Sequence, residues 1–319
     1  MAKPKAKTIT LKVSDNTKEK MQEYFADKRR PKTPPYAVFQ ADEADTVVTL
    51  YESGKAVFQG ISADIDANIW KETERRLNPG QKVEVKKAGE KKKEIKQDNS
   101  FVYYASTIGS DEVGTGDYFG PIIVSSTYVA KENIPFLESL GVKDSKKMTD
   151  EQILKVVPEI IKKIPYSTRV LNNSDYNVKY NAEINMNAMK AILHNKVLLD
   201  LTEKYQDAKY VVVDQFTSPN SYFKYLAKAP VVQKNITFLT EAEDKCLSVA
   251  CASLISRYAF IKEFDKLSKS VGFPLPKGAG EATIEAGMKI VSQSGLEALN
   301  ELAKLNFKNT EKIKERLKM

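Results

Sequence analysis

Between positions 81 and 99 the chain reads QKVEVKKAGEKKKEIKQDN, a run of Lys and Glu with little to bury. A hydrophobic core cannot pass through such a stretch, so the 319 residues are expected to divide there. The expected plan is an N-terminal domain over 1–80, a Lys/Glu-rich linker over 81–99 and a larger domain over 100–319. A polar edge strand of the first domain could absorb part of the linker. An apolar content of 42% is enough to build both cores.

Hydrophobic periodicity gives the first domain an α+β character. TITLKV (8–13), YAVFQA (36–41), TVVTLY (46–51) and AVFQG (56–60) read as strands. Met21, Tyr24 and Phe25 are spaced for a short helix from Asp15 to Ala26, which Pro31, Pro34 and Pro35 break. A second helix is expected from Ser62 to Arg76, with Ile65, Ile69 and Trp70 on its apolar side, stopped by Asn78-Pro79-Gly80.

The second domain mixes strands and helices. FVYYASTIGSDE, IIVSSTYVA (122–130), YSTRVLN (166–172), KYVVVDQF (209–216) and VVQKNITFL (231–239) read as strands. The near-continuous apolar run of VVVD suits the centre of a sheet. Helices are expected over 144–163, over 184–205, from about Ala242 onward, and over 281–315; Thr149 with Gln152 forms a capping box for the first. The fold class is α/β: a mixed sheet flanked by helices, preceded by the small α+β domain.

The formal net charge is +8 and unevenly spread: residues 1–35 carry ten Lys or Arg against four acids, and residues 77–100 carry seven Lys. That favours an anionic partner, nucleic acid before membrane, with a solvated face as the plain alternative. Cys246 and Cys251, five apart on a helix, are badly placed for a disulfide and read as buried thiols of a reducing compartment. The start MAKPKAKTITLK has no signal-peptide core and no run reaches membrane-spanning length, so a soluble, cytoplasmic protein is expected. His194 is the only histidine. A histidine-based hydrolase must therefore use His194 itself, and a multi-histidine metal centre is excluded; a satisfied surface histidine is the simpler reading. Any metal would be held by oxygen, which points to Mg2+ or Mn2+.

The acids that bear on chemistry lie at element ends. Asp111 and Glu112 stand in GSDEVGTGDYFGPIIV, Asp214 ends VVVD, and Glu243 precedes the long helix in EAEDKCLSVACASLISR. Each alone has an ordinary role, as a loop cap or a helix-dipole partner. Together they can converge at one mouth of a sheet, where their repulsion calls for cations. Adjacent strand residues point to opposite faces, so a backbone turn at the following glycines is expected to bring Asp111 and Glu112 together.

These segments, with DSKK at 144–147, resemble the active-site motifs of the type 2 and type 3 ribonucleases H, and TGDYFGP with the basic N-terminal domain is similar to the type 3 subgroup. The resemblance covers essentially the whole chain. It implies a ribonuclease H-like sheet preceded by a domain resembling the TATA-binding protein. It implies an enzyme that cleaves the RNA strand of RNA/DNA hybrids with two Mg2+ or Mn2+ ions and leaves 5′-phosphate and 3′-hydroxyl ends. By motif, Asp111, Glu112, Asp214 and Glu243 are the catalytic and metal-holding residues. Gly114-Thr115-Gly116 stands where type 2 members carry Gly-Arg-Gly, which favours cleavage within runs of ribonucleotides over single embedded ones.

Substrate-binding candidates follow. Ser110, Gly114, Thr115 and Gly116 are placed to meet 2′-oxygens, and Lys143, Lys146, Lys147 and Lys277 to meet phosphates. Tyr36, Phe39 and Phe58 of the first domain are either stacking residues or core, with core the first expectation for any one of them. No protein partner is implied and a monomer is the default. Two other readings remain at this point: a metal-dependent DNA nuclease, which needs no 2′-hydroxyl contact, and a non-catalytic nucleic-acid-binding protein, which leaves the acids unexplained.

Overall fold

The computed structural model describes residues 6–79, 85–87 and 100–319, without the side chains of residues 85–87, 100, 143 and 144. The chain forms two units, one from residues up to 97 together with 215–227, the other from 98–214 and 228–319.

The first unit follows the alternation of its strands. It runs β1 (Lys7–Lys12), α1 (Asp15–Tyr24), β2 (Ala37–Glu43), β3 (Thr46–Tyr51), β4 (Lys55–Gly60), α2 (Ala63–Leu77) and β5 (Val85–Lys87). The sheet order is β2-β3-β4-β1-β5, antiparallel throughout. Ile9, Leu11, Phe39, Val48, Leu50 and Phe58 point to one face and pack with Met21, Phe25 and Trp70. Phe39 and Phe58 are fully buried core, whereas Tyr36 is 81% exposed. β5 lies inside the Lys/Glu-rich stretch and pairs with β1 in the register Ile9↔Lys87 to Leu11↔Val85.

The buried side of α2 differs from the periodicity. Ala63, Asp66, Ala67, Trp70 and Glu74 face inward, while Ile65 and Ile69 are only half-buried. Small residues let the helix approach the sheet, and they carry an acid in with them. Desolvation pushes the Asp66 carboxyl from its ordinary 3.8 up to about 7, with Glu43 and Asp45 adding to it. A carboxyl raised in the fold costs stability as pH climbs past its unfolded value. Asp66→Asn is therefore expected to stabilise the protein by up to about 4 kcal/mol at pH 8, a gain that vanishes near pH 4. Urea titrations at the two pH values check this.

A short helix, Pro219–Tyr225, completes the unit although it follows directly on the strand ending in Asp214. Asn220 Nδ2 donates to Asp45 at 3.1 Å, beside the buried Lys28–Glu43 ion pair at 2.6 Å. Sequence places these residues with the second domain; their partners lie about 175 positions away in the chain, beyond any local signal.

The second unit opens with a helical turn, α3 (Ser100–Tyr103), where a strand is expected from Phe101. It continues β6 (Thr107–Val113), β7 (Ile122–Val129), α4 (Ile134–Ser139), a 3-10 turn (Val142–Lys147), α5 (Asp150–Lys163), β8 (Tyr166–Leu171), α6 (Asn173–Lys179), α7 (Met186–Thr202) and β9 (Tyr210–Asp214). Beyond α8, the helix Pro219–Tyr225 above, come β10 (Thr237–Leu239), a 3-10 turn (Ala242–Asp244), α9 (Leu247–Val271), α10 (Glu281–Ser294), α11 (Leu299–Leu302) and α12 (Lys308–Leu317). The Thr149–Gln152 capping box is formed at α5.

The sheet order is β10-β9-β6-β7-β8. β10, β9 and β6 are parallel, and β7 and β8 are antiparallel to their neighbours. α9 covers one face; its buried Ala250, Cys251, Ala252, Ser253 and Ser256 are small enough to let it lie close. α7 covers the other, where Ser126 Oγ donates to Val197 O at 2.6 Å. Both cysteines are buried free thiols. Among the described residues no helix is long and apolar enough to cross a membrane.

Candidate active site

β6 and β9 run side by side with Ser110 opposite Val213, so Asp111 and Asp214 leave the sheet at the same end. β6 stays paired through Val113↔Ile123. The expected turn at the acidic pair is therefore absent, and Asp111 and Glu112 take opposite faces of a regular strand. Asp111 points toward α9 and Glu112 toward α7.

Asp111 is 7% exposed. Burial raises its carboxyl well above the usual range, and the charges of Asp214, Glu112 and Glu243 raise it further. Asp214 accepts the Ala242 N–H at 2.8 Å, yet burial, with Glu112 and Glu243, still pushes it to about 7. Glu243 sits in the 3-10 turn before α9, and Ser253 Oγ donates to it at 3.3 Å while also bonding Asp111. Asp244, beside it, is half exposed and is not among the charges acting on Asp111 or Asp214.

Glu112 has the opposite electrostatics. Burial favours its neutral form, but Lys190 and His194 outweigh that and bring it down to about 2. Lys190 Nζ donates at 3.0 Å to one carboxylate oxygen and His194 Nε2 lies 2.9 Å from the other. Against an ionised carboxylate, Nε2 is the donor. His194 Nδ1 is 2.8 Å from Ser110 Oγ. Lys190 and His194 are one helical turn apart on α7, on the face that meets β6. The sequence reading missed both: His194 is fully buried, not a surface residue. Its being the chain's only histidine, four residues after a lysine on an apolar helix, was the available signal.

The other candidates separate. Ser110, expected near a 2′-oxygen, is fully buried on His194. Gly114 is buried at φ +87°, and a Cβ there would lie 2.1 Å from Pro121 O, so its glycine is required by the turn. Thr115 is half-buried; Gly116 is exposed, and a Cβ there would meet no protein atom within 4 Å. Lys146 bridges Asp244 at 2.8 Å and Glu243 at 3.3 Å. Burial works against its ammonium, but these carboxylates prevail and raise its pKa. Arg257 of α9 holds the DSKK turn by donating to Ser145 O and Met148 O, both at 2.9 Å. Lys147 is exposed, and the Lys143 side chain lies outside the described residues. Lys277 pairs with Asp150 at 2.6 Å, and the next residue, Gly278, donates its N–H to Asp117 of the glycine-rich loop.

Among the described residues no three acid, histidine or cysteine side chains form a closed ligand set; protein cations draw Glu112 and Glu243 to themselves. The donor chemistry nonetheless fits a hard divalent cation. The candidates are all carboxylates, buried together, and their repulsion raises Asp111 and Asp214.

The family model described as Ribonuclease HII, a class of nuclease, matches residues 108–310, and the chain belongs to this family. A second model, described only as a domain of unknown function, matches residues 8–82. The chain is 41% identical to Ribonuclease HIII of Bacillus cereus over 308 residues, covering 96% of this chain and 97% of the relative. It is 40% identical to Ribonuclease HIII of Bacillus anthracis with the same coverage. Among solved structures, that of Bst-RNase HIII in complex with Mn2+ superposes with a TM-score of 0.68 at 34% identity, covering 98% of this chain and 99% of that one.

Proposed function

We propose that this chain is a metal-dependent endonuclease that hydrolyses the RNA strand of RNA/DNA hybrids and leaves 5′-phosphate and 3′-hydroxyl ends. The observation that carries the reading is the burial of Asp111 and Asp214 together at the end of β6 and β9, where the charges of Glu112 and Glu243 add to burial in raising their proton affinity. Such an arrangement costs folding free energy and is understandable as a cation site. Mg2+ or Mn2+, when bound there, supplies an activated water and neutralises the leaving oxygen; a relative's structure with Mn2+ supports this choice.

Asp111, Glu112, Asp214 and Glu243 are the residues to hold the ions. Lys190 and His194 keep Glu112 ionised and fixed on the α7 side. Ser253 ties Asp111 to Glu243. Lys146, 41% exposed, exchanges its carboxylate partners for a substrate phosphate. Thr115 and the backbone at Gly116 meet the RNA 2′-hydroxyls; the open space over Gly116 supports a close backbone approach. The first unit acts as the hybrid-binding domain and resembles the TATA-binding protein. Its sheet face away from the core carries Thr8, Thr10, Gln40, Val57 and Gln59, with Lys12 and Lys55 at one end, a surface of polar, aliphatic and basic groups suited to a minor groove. The buried free thiols support a reducing, cytoplasmic setting.

A matched pair of labelled duplexes tests the reading. The hybrid is expected to be cut in Mg2+ or Mn2+ and not in EDTA, and the all-DNA duplex to be left intact. Equal cutting of both would favour a DNA nuclease; binding without cutting would favour a non-catalytic protein.

A further inference from the structure

Lys304 is a fully buried lysine that the chemistry above does not use. Its Nζ donates to Asp117 O at 2.8 Å and to Gly120 O at 2.5 Å. The backbone around it forms a small antiparallel bridge, Phe119 with Ala303. Lys304 N–H donates to Tyr118 O at 2.9 Å, and Gly120 N–H donates to Leu302 O at 3.0 Å. Asn173 Nδ2 reaches the same Gly120 carbonyl at 3.0 Å. Tyr118 and Phe119 are fully buried among the residues of α10, α11 and α12. The glycine-rich segment is thus fastened at 117–120, while Thr115 and Gly116 remain accessible.

We propose that Lys304 is the positioning residue of this segment: by closing the carbonyls of Asp117 and Gly120 it sets where Gly114–Gly116 meets the RNA strand. The proposal rests on the hybrid-cutting function above. Without the amine, the Asp117 carbonyl loses a donor that no apolar side chain replaces, and the fastened end of the loop can relax. The burial is costly in itself. It lowers the ammonium to about 7 against the attraction of Asp117. Charged or neutral, the amine offers two hydrogens, so the geometry survives either state.

Lys304→Met keeps the stem and deletes the donor. Its KM for a labelled RNA/DNA hybrid is expected to rise about tenfold, with kcat changed less than about threefold. Its melting temperature is expected to stay within a few degrees of that of the unaltered protein, because relief of the buried amine offsets the carbonyl left without its donor. A lysine with only a structural role would not produce that split. Asn173→Ala removes the second side-chain donor to Gly120 O and is expected to raise KM about threefold, the double variant falling short of the product because the two share an acceptor. A folded Lys304→Met with ordinary KM overturns the proposal. So does a rise in KM matched by losses in kcat and melting temperature. Should Lys304→Met not fold, an ordinary KM in Asn173→Ala decides against it. Failure of the unaltered chain to cut the hybrid would strike the functional reading instead, so the two failures are distinguishable.

Discussion

Asp111→Asn will lower the rate of hybrid hydrolysis by about a thousandfold or more while raising the melting temperature of the metal-free protein. The two effects have one cause. Asp111 is buried with three other carboxylates in reach of its charge, and burial and those charges together outweigh the Ser253 hydrogen bond that favours its ionised form. Asparagine has nearly the same shape, and its Oδ1 can still accept the Glu112 N–H that Asp111 accepts at 2.7 Å. What disappears is one negative charge and one anionic ligand. Loss of the ligand removes the hold on a cation; loss of the charge relieves the pocket. The sign of the pH effect follows. A carboxyl raised in the fold withdraws stability as pH climbs above its ordinary value of 3.8, so the gain from Asn is largest at neutral and alkaline pH and disappears near pH 4. A higher melting temperature at pH 8 is expected, with the difference shrinking as the pH falls. Thermal melts in EDTA at pH 5 and pH 8 measure it. A variant less stable than the parent at pH 8 would mean that Asp111 is held by its donors and not strained by its neighbours, and the cation-site reading would lose its main support.

Much of this corner is legible in the sequence, and its limits are instructive. VVVD had to be a central strand because nothing polar interrupts it, and the acid at its end had to leave the sheet there. IIVSSTYV is equally plain. The fine geometry was not available. Adjacent acids suggested a bend at the glycines, yet β6 remains paired through Val113 and lets the two carboxylates diverge. The divergence is possible because α7 supplies partners for Glu112, and that contact spans 78 residues in sequence. The face of α2 was misread for a related reason. Ile65 and Ile69 satisfy helical spacing as well as Ala63 and Ala67 do, and only the closeness of the sheet decides for the small pair. Residues 215–227 carry no local mark of belonging with the first unit. A deletion of residues 1–80 would therefore also strip the helix Pro219–Tyr225 of its partners, directly after Asp214, and would not be a clean removal of a binding domain.

Lys190→Met probes that long-range contact and is expected to cost both stability and rate. Glu112 is brought from its ordinary 4.5 down to about 2 by Lys190 and His194, against the pull of burial. A carboxyl depressed in the fold contributes stability above its unfolded pKa, lost as pH falls through the folded one; here that contribution is about 3 kcal/mol at pH 7. Removing the ammonium while keeping the carboxylate leaves an uncompensated buried charge, so a loss of roughly 3 kcal/mol at pH 7 is expected, shrinking toward pH 3 as Glu112 takes up a proton. Urea denaturation in EDTA at both pH values reads it. His194 alone cannot hold the carboxylate in place, and hydrolysis is expected to fall by about 10–100-fold even at saturating divalent cation. The double variant Lys190→Met, Glu112→Gln separates charge pairing from packing. With both partners neutral, no unpaired charge is left in the pocket, so most of the lost stability should return although activity does not. If the double variant is as unstable as Lys190→Met alone, the loss does not come from an unpaired Glu112 charge, and Glu112 owes its ionised state to His194 and the strand rather than to the cation beside it.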